Sequence, residues 1–161
     1  PTMGAMVSDG QRDRAVGMIA RAEEQGARVA CGGRKLNRLG AFLEPTVLAS
    51  VTPDMEIAQQ EVFGPVLSVL SFRDEAEAIE IANGTEYGLV AGVFTADLDR
   101  ATRAARRLRA GQVFVNEWFA GGVETPFGGY GKSGYGREKG REALWNYVQT
   151  KNVAVKLKGR P

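Results

Sequence analysis

The sequence has no histidine. That excludes Ser-His-Asp and Cys-His catalytic pairs and removes the commonest metal-ligating side chain. There is one cysteine, Cys31, so an internal disulfide framework and a cysteine-cluster zinc site are excluded as well. No metal is expected, and cysteine usage this sparse agrees with a reducing, cytoplasmic setting. Charge of one sign is also lacking: 21 Lys+Arg against 19 Asp+Glu leave a net +2, which does not call for a nucleic-acid partner. The longest apolar runs fall far short of a bilayer span, and no charged-then-apolar leader opens the chain, so no membrane partner is expected. The first residues are Pro1-Thr2 rather than Met, which gives the expectation of a processed or excised piece.

What is present suits one soluble globular domain. Of 161 residues, 43% are hydrophobic and 25% charged, enough to bury a core. Ser8 with Gln11 three residues on makes a capping-box pattern. Ala15, Val16, Met18, Ile19 and Ala22 then follow helical spacing up to a stop at Gly26. Val29–Cys31 reads as a short strand. The Phe42–Val47 stretch is extended, with Pro45 suggesting an edge or an irregular strand, and a short helical turn runs from Pro53 to about Gln60. Val66–Phe72 is apolar and β-branched, the pattern of a buried strand. Asp74 and Glu77 make a second capping box, opening a helix with Ala78, Ile79 and Ala82 inward and Asn83-Gly84 at its end. Leu89–Phe94 reads as a strand. A helix follows with Leu98, Ala101, Ala105 and Leu108 on one face and arginines on another, read as a solvated face. Gln112–Val115 is the next strand.

Strand–helix–strand–helix–strand from Val66 to Val115 predicts an α/β fold with a parallel-rich sheet and covering helices. Sites in such sheets lie beyond the carboxyl ends of the strands, which points to the loop after Val115. Eight of the 21 glycines fall between Gly121 and Gly140, among Trp118, Phe119, Phe127, Tyr130 and Tyr135. Glycines allow close backbone approach and aromatics supply pocket walls; an irregular packed loop is the plainer reading. A helical turn near Glu138–Asn146 and an alternating strand at Val153, Val155 and Leu157 close the chain. With no hairpin partner nearby, that strand is expected to pair elsewhere.

Several segments together resemble the NAD(P)-dependent aldehyde dehydrogenase superfamily. Glu61-Val62-Phe63-Gly64-Pro65-Val66 is similar to its E-x-F-G-P-[VI] motif, and Asn83 to Leu89 to its N-x-x-x-Y-G-L segment. Thr125-Pro126-Phe127-Gly128-Gly129 and Ser133-Gly134-Tyr135-Gly136-Arg137-Glu138 resemble its P-F-G-G-x-K-x-S-G-x-G-R-E block. One departure stands out: Gly131 holds the place of the family lysine, and Lys132 follows it. The likeness runs from about Gly4 to Leu157.

The resemblance implies the C-terminal part of the family's catalytic domain over residues 1–141, then a helix end and oligomerisation strand over 142–161. Family members are about three times as long. Their cofactor domain, nucleophilic cysteine and general-base glutamate are expected upstream of Pro1, so no residue here is assigned a catalytic role. The implied reaction oxidises an aldehyde to a carboxylic acid through a cysteine thiohemiacetal and thioester, with NAD or NADP as cofactor. The chain alone is expected to be inactive. The alternatives are a non-catalytic oligomerisation module and a breakdown product.

By the same resemblance, Glu61 accepts hydrogen bonds from the nicotinamide-ribose hydroxyls and Phe63 packs beside the nicotinamide. Without the motif these two would read as a surface glutamate and a core phenylalanine. Phe127 matches the aromatic lining the aldehyde tunnel, and Trp118 and Phe119 fall where the tunnel mouth is shaped; core packing is the other reading for each. Glu138 matches a semi-buried glutamate linked to proton movement, or else is a structural carboxylate. Cys31 does not match the nucleophile motif and reads as a small buried hydrophobe. The expected partners are an aldehyde and further copies of the chain, as a dimer or tetramer joined through the final strand.

Overall fold

The computed structural model describes residues 3–157 and Gly159. Pro1-Thr2, and Lys158, Arg160 and Pro161 of the expected terminal segment, lie outside the described residues. The chain divides into two compact units, residues 1–86 and 87–161.

In the first unit, helix α1 (Asp9–Glu24) starts at Ser8, whose extended backbone turns its Oγ toward the Gln11 N–H at 3.2 Å. The reciprocal half of the expected capping box is not formed: the Gln11 side chain goes to residues 62 and 63 instead. Ala15, Met18, Ile19 and Ala22 form the buried stripe and pack with Leu43, Leu48, Met55, Ile57 and Val62 into the core. Strands β1 (Arg28–Cys31), β2 (Thr46–Ala49) and β3 (Val66–Ser68) lie side by side in that order. β1 and β2 run antiparallel; β2 and β3 run parallel, with Thr46 opposite Val66.

Two strand expectations change here. Of the two readings of the proline-marked stretch, edge or irregular strand, the edge does not hold: β2 begins one residue after Pro45 and is the central strand, so the missing N–H falls outside the ladder. β3 is also shorter than Val66–Phe72 and is not buried on both faces. Val66 and Leu70 pack against the core, while Leu67 and Val69, on the opposite side of the pleat, are 60% and 45% exposed. One-turn helix α2 (Glu56–Gln59) is tied to α1 by the paired bonds from Arg21 to the Glu56 carboxylate at 2.7 and 3.1 Å. Helix α3 (Glu75–Asn83) is capped by Asp74, which accepts from the Glu77 N–H at 2.9 Å. The Glu77 carboxylate in turn takes the backbone and side-chain N–H groups of Arg73 rather than the N–H of Asp74. Ile79 is the buried residue of α3; Ala82, expected inward, is exposed.

The second unit holds the clearest success of the sequence pattern. Strands β5 (Val90–Val93) and β6 (Gln112–Val115) are parallel, in register from Val90/Gln112 to Val93/Val115, and are joined through helix α4 (Leu98–Arg107). Asp97 caps α4 by accepting from the Arg100 N–H at 3.0 Å. Ala101 and Ala104 are its buried residues, whereas Leu98, expected inward, is exposed because it stands at the first helical position. Strand β4 (Tyr87–Gly88) pairs antiparallel with β7 (Tyr130–Gly131). The ladders are therefore mixed rather than parallel-rich, and β3 belongs to a different sheet from β5 and β6. A 3-10 helix covers Glu142–Tyr147. Residues 148–157 form no strand ladder among the described residues, and Val153, Val155 and Leu157 are exposed.

Candidate functional site

In the first unit the candidate residues sit on the loop between α2 and β3. Val62 is buried in the core while Glu61 and Phe63 on either side are exposed. Alternation along an extended backbone puts both neighbours on the side away from Val62, and the turn into β3 then falls at Phe63. Phe63 adopts φ +53°, the left-handed region that β-carbon sterics disfavour. Its ring is 70% exposed, which corrects the core-phenylalanine reading. Glu61 thus offers two acceptor oxygens beside an outward aromatic face. Those acceptors and that ring fit a vicinal diol, which donates, attached to a flat ring.

The second unit anchors its candidates at the carboxyl ends of β5 and β6. Asn116, at φ +56°, continues the ladder: its N–H donates to the Val93 carbonyl at 2.8 Å. Its side chain then imitates a peptide group. Oδ1 accepts from the Thr95 N–H and Nδ2 donates to the Thr95 carbonyl, both at 2.8 Å. Trp118 and Phe119 follow at once. With buried Phe114 they form a triangle of rings whose centroids are 5.8–5.9 Å apart, a spacing at which aromatic pairs attract. Trp118 also lies over Gly92 of β5, where a β-carbon would stand 3.1 Å from its ring. Both residues remain more than half exposed.

The backbones of the glycine-rich block are closely packed. A β-carbon on Gly111 would lie 1.7 Å from the Gly128 carbonyl oxygen, and one on Gly128 would lie 2.1 Å from that of Gly136. Backbones meet there with no room for side chains. Arg137 holds the same turn, its guanidinium donating to the carbonyls of Gly129 and Gly136 at 3.0 and 2.8 Å. Ser133 Oγ accepts from the Gly88 N–H at 3.1 Å. Gly131, in the place of the family lysine, has φ +57° and pairs with Tyr87, a geometry in which glycine is at ease and lysine is not.

The structure brings Phe127 and Glu138 together. Each N–H donates to the other's carbonyl at 2.7 Å in an isolated antiparallel bridge. Phe127 is half-buried, with the Lys139 ammonium 5.7 Å from its ring centre. Glu138, expected to be semi-buried, is exposed. Cys31 is likewise exposed rather than buried, its Sγ 3.9 Å from the Pro45 carbonyl oxygen; the register shift between Val29 and Cys31 breaks the alternation that would carry it to the core side with Val29. The roles of Gln11, Asn116 and Arg137 were not legible in the sequence: Gln11 reads as a cap partner, Arg137 only as a member of the G-x-G-R-E motif, and Asn116 carries no pattern. Among the described residues, no group of three or more His, Cys, Asp or Glu could hold a metal ion, and no helix is long and apolar enough to cross a membrane.

A profile of the Aldehyde dehydrogenase family matches residues 1–153, and the chain belongs to that family. Among its relatives, the betaine aldehyde dehydrogenase of Brucella anthropi is 48% identical over 159 residues, covering 96% of this chain and 33% of the relative. The betaine aldehyde dehydrogenase of Cereibacter sphaeroides is 48% identical over 153 residues, covering 95% and 32%. Among solved structures, the NAD-dependent aldehyde dehydrogenase of Sinorhizobium meliloti superposes with a TM-score of 0.91 at 44% identity, covering 99% of this chain and 32% of that one. A Staphylococcus aureus betaine aldehyde dehydrogenase solved in complex with NAD+ gives a TM-score of 0.86 at 40% identity, covering 90% and 30%. The chain thus spans about a third of the length of the relatives it matches.

Proposed function

We propose that this chain is the C-terminal part of the catalytic domain of an NAD(P)-dependent, cytoplasmic aldehyde dehydrogenase that converts an aldehyde to a carboxylic acid. The observation that carries this reading is the outward pair Glu61 and Phe63 on a left-handed turn within the family's motif. The Glu61 carboxylate accepts from the ribose hydroxyls, and the Phe63 ring packs beside the nicotinamide. When bound, the dinucleotide supplies the hydride acceptor. Phe127, Trp118 and Phe119 form a wall of the aldehyde tunnel, and Glu138, fixed beside Phe127 by its backbone, lies on a proton path. The attacking cysteine belongs to the remaining two thirds of the enzyme, so the isolated chain does not turn over aldehyde. In the complete enzyme, Glu61→Ala raises the KM for the dinucleotide or lowers turnover; wild-type values for both overturn the assignment.

Betaine aldehyde is the substrate to test first. The relatives at 48% identity carry that name, and the exposed Trp118 and Phe119 rings offer π faces to a quaternary ammonium group. A kcat/KM for betaine aldehyde no better than for a neutral aldehyde of like size rejects this choice.

Residues 1–141 supply these walls, and 142–161 supply an oligomerisation strand. The exposed alternation of Val153, Val155 and Leu157 supports a strand completed by another copy. Light scattering should therefore give a dimer or tetramer that shortening before Lys151 reduces to smaller species; an unchanged mass rejects the role of this strand.

A further inference from the structure

We propose that Gln11 is the positioning residue for the dinucleotide loop, holding residues 62–65 in the shape that presents Glu61 and Phe63; this rests on the ribose-binding reading of those two side chains. Gln11 stands in the first turn of α1. Its side-chain nitrogen donates to the Val62 carbonyl at 3.0 Å and to the Phe63 carbonyl at 3.3 Å. A primary amide carries two N–H groups, so one side chain serves both carbonyls. The next two carbonyls of the loop are also engaged. Gly64 O accepts from the Val66 N–H, and Pro65 O from the Thr46 N–H, both at 2.8 Å. In this run of four successive carbonyls, Gln11 is the side-chain donor and the other two partners are backbone.

The strain falls where the anchors are. Phe63 is left-handed at φ +53°, a conformation that a non-glycine residue keeps only when its surroundings impose it. Gln11 grips the peptide groups on both sides of the Phe63 Cα, through Val62 O and Phe63 O, so it fixes the two planes whose rotation would relax that residue. The neighbouring packing has the same origin. Gln11 and Ala15 are one helical turn apart on the same face of α1, and a β-carbon at Gly64 would meet Ala15 Cβ at 3.6 Å and Met6 Cε at 2.9 Å. The loop is therefore seated on that face and clasped from the turn before it. The helix cap does not depend on this contact, because Ser8 Oγ accepts from the backbone N–H of Gln11. Changing the side chain leaves the cap in place.

The test uses the complete enzyme with Gln11→Met, which keeps length and removes both donors, and Gln11→Lys, which restores a donor of similar reach. Gln11→Met is expected to raise the KM for the dinucleotide about tenfold, the effect of losing a pair of modest hydrogen bonds. The KM for aldehyde stays unchanged, and Gln11→Lys recovers most of the loss. A second readout needs no turnover: limited chymotrypsin digestion, scored as cleavage after Phe63 relative to cleavage after Tyr147. Freed carbonyls should raise that ratio about fivefold in Gln11→Met. An unchanged ratio overturns the proposal whatever the kinetics, as does a raised dinucleotide KM in Glu61→Ala with a normal one in Gln11→Met. A normal dinucleotide KM and turnover in Glu61→Ala, with a raised cleavage ratio in Gln11→Met, retires the ribose reading and leaves the loop anchor standing.

Discussion

Phe127 and Glu138 hold one another by their main chains: each amide N–H meets the other's carbonyl oxygen at 2.7 Å. The bond is blind to the side chain at position 138 and sensitive to its N–H. Glu138→Gln should therefore leave stability within about 0.5 kcal/mol of the parent. Glu138→Pro deletes the donor to Phe127 and should cost about 1–3 kcal/mol. Urea unfolding of the two variants checks this; equal midpoints would refute the backbone account.

Glycines that look alike in sequence should differ sharply on substitution. Gly111→Ala drives a methyl group to 1.7 Å from the Gly128 carbonyl oxygen, and backbone must move to admit it. The expected loss is about 3 kcal/mol or more. A β-carbon at Gly136 meets nothing within 4 Å, so Gly136→Ala should stay within about 0.5 kcal/mol. Thermal melts of both variants decide the matter.

The Arg21–Glu56 pair gives the first unit an acid-dependent component. The hydrogen bonds from the Arg21 guanidinium, ahead of every other influence, hold the Glu56 carboxyl below its ordinary value. A carboxyl lowered in the folded state adds stability that is complete above the unfolded carboxyl's range, about pH 5 and higher, and is lost as acid protonates the folded form. Glu56→Gln should thus melt below the parent at pH 7, with the gap closing toward pH 3. A gap that is constant with pH would show that the pair does not act through ionisation.

The two faces of the first sheet should respond differently to truncation. Leu48 in β2 is fully buried, and Leu48→Ala should cost about 2–5 kcal/mol. Leu67 in β3 is 60% exposed, and Leu67→Ala in the isolated chain should change stability by about 0.5 kcal/mol or less. Comparable losses in denaturant titrations would show that the outer face is covered.

What could be read in advance was local or periodic. Ser8 and Asp74 marked helix starts because a short acceptor side chain satisfies an orphan N–H. The β5–α4–β6 unit followed from two apolar runs around an amphipathic helix. Contacts between distant segments left no local trace. β4 and β7 are two residues each and contain Gly88 and Gly131, which carry no strand signal. Gln11 looked like a capping-box partner, and only the folded position of residues 62 and 63 shows its amide bound elsewhere. The apolar run at Val66–Phe72 reads as a strand buried on both sides, yet the strand spans only Val66–Ser68, and Leu67 and Val69 are exposed. The motifs identified the family from side chains alone; that the Phe63 turn is left-handed appears only in the backbone.

Asn116 closes the rung after Val115 with its backbone and then binds Thr95 through a side-chain amide acting as a substitute peptide. The loop that carries Trp118 and Phe119 thus departs from a pinned origin, with Gly140 bonded back to Val123 at its far side. Drift at the exposed edges of these rings can recarve the aromatic surface, while their inner edges, seated on Phe114 and Gly92, tie any new shape to the strands behind it.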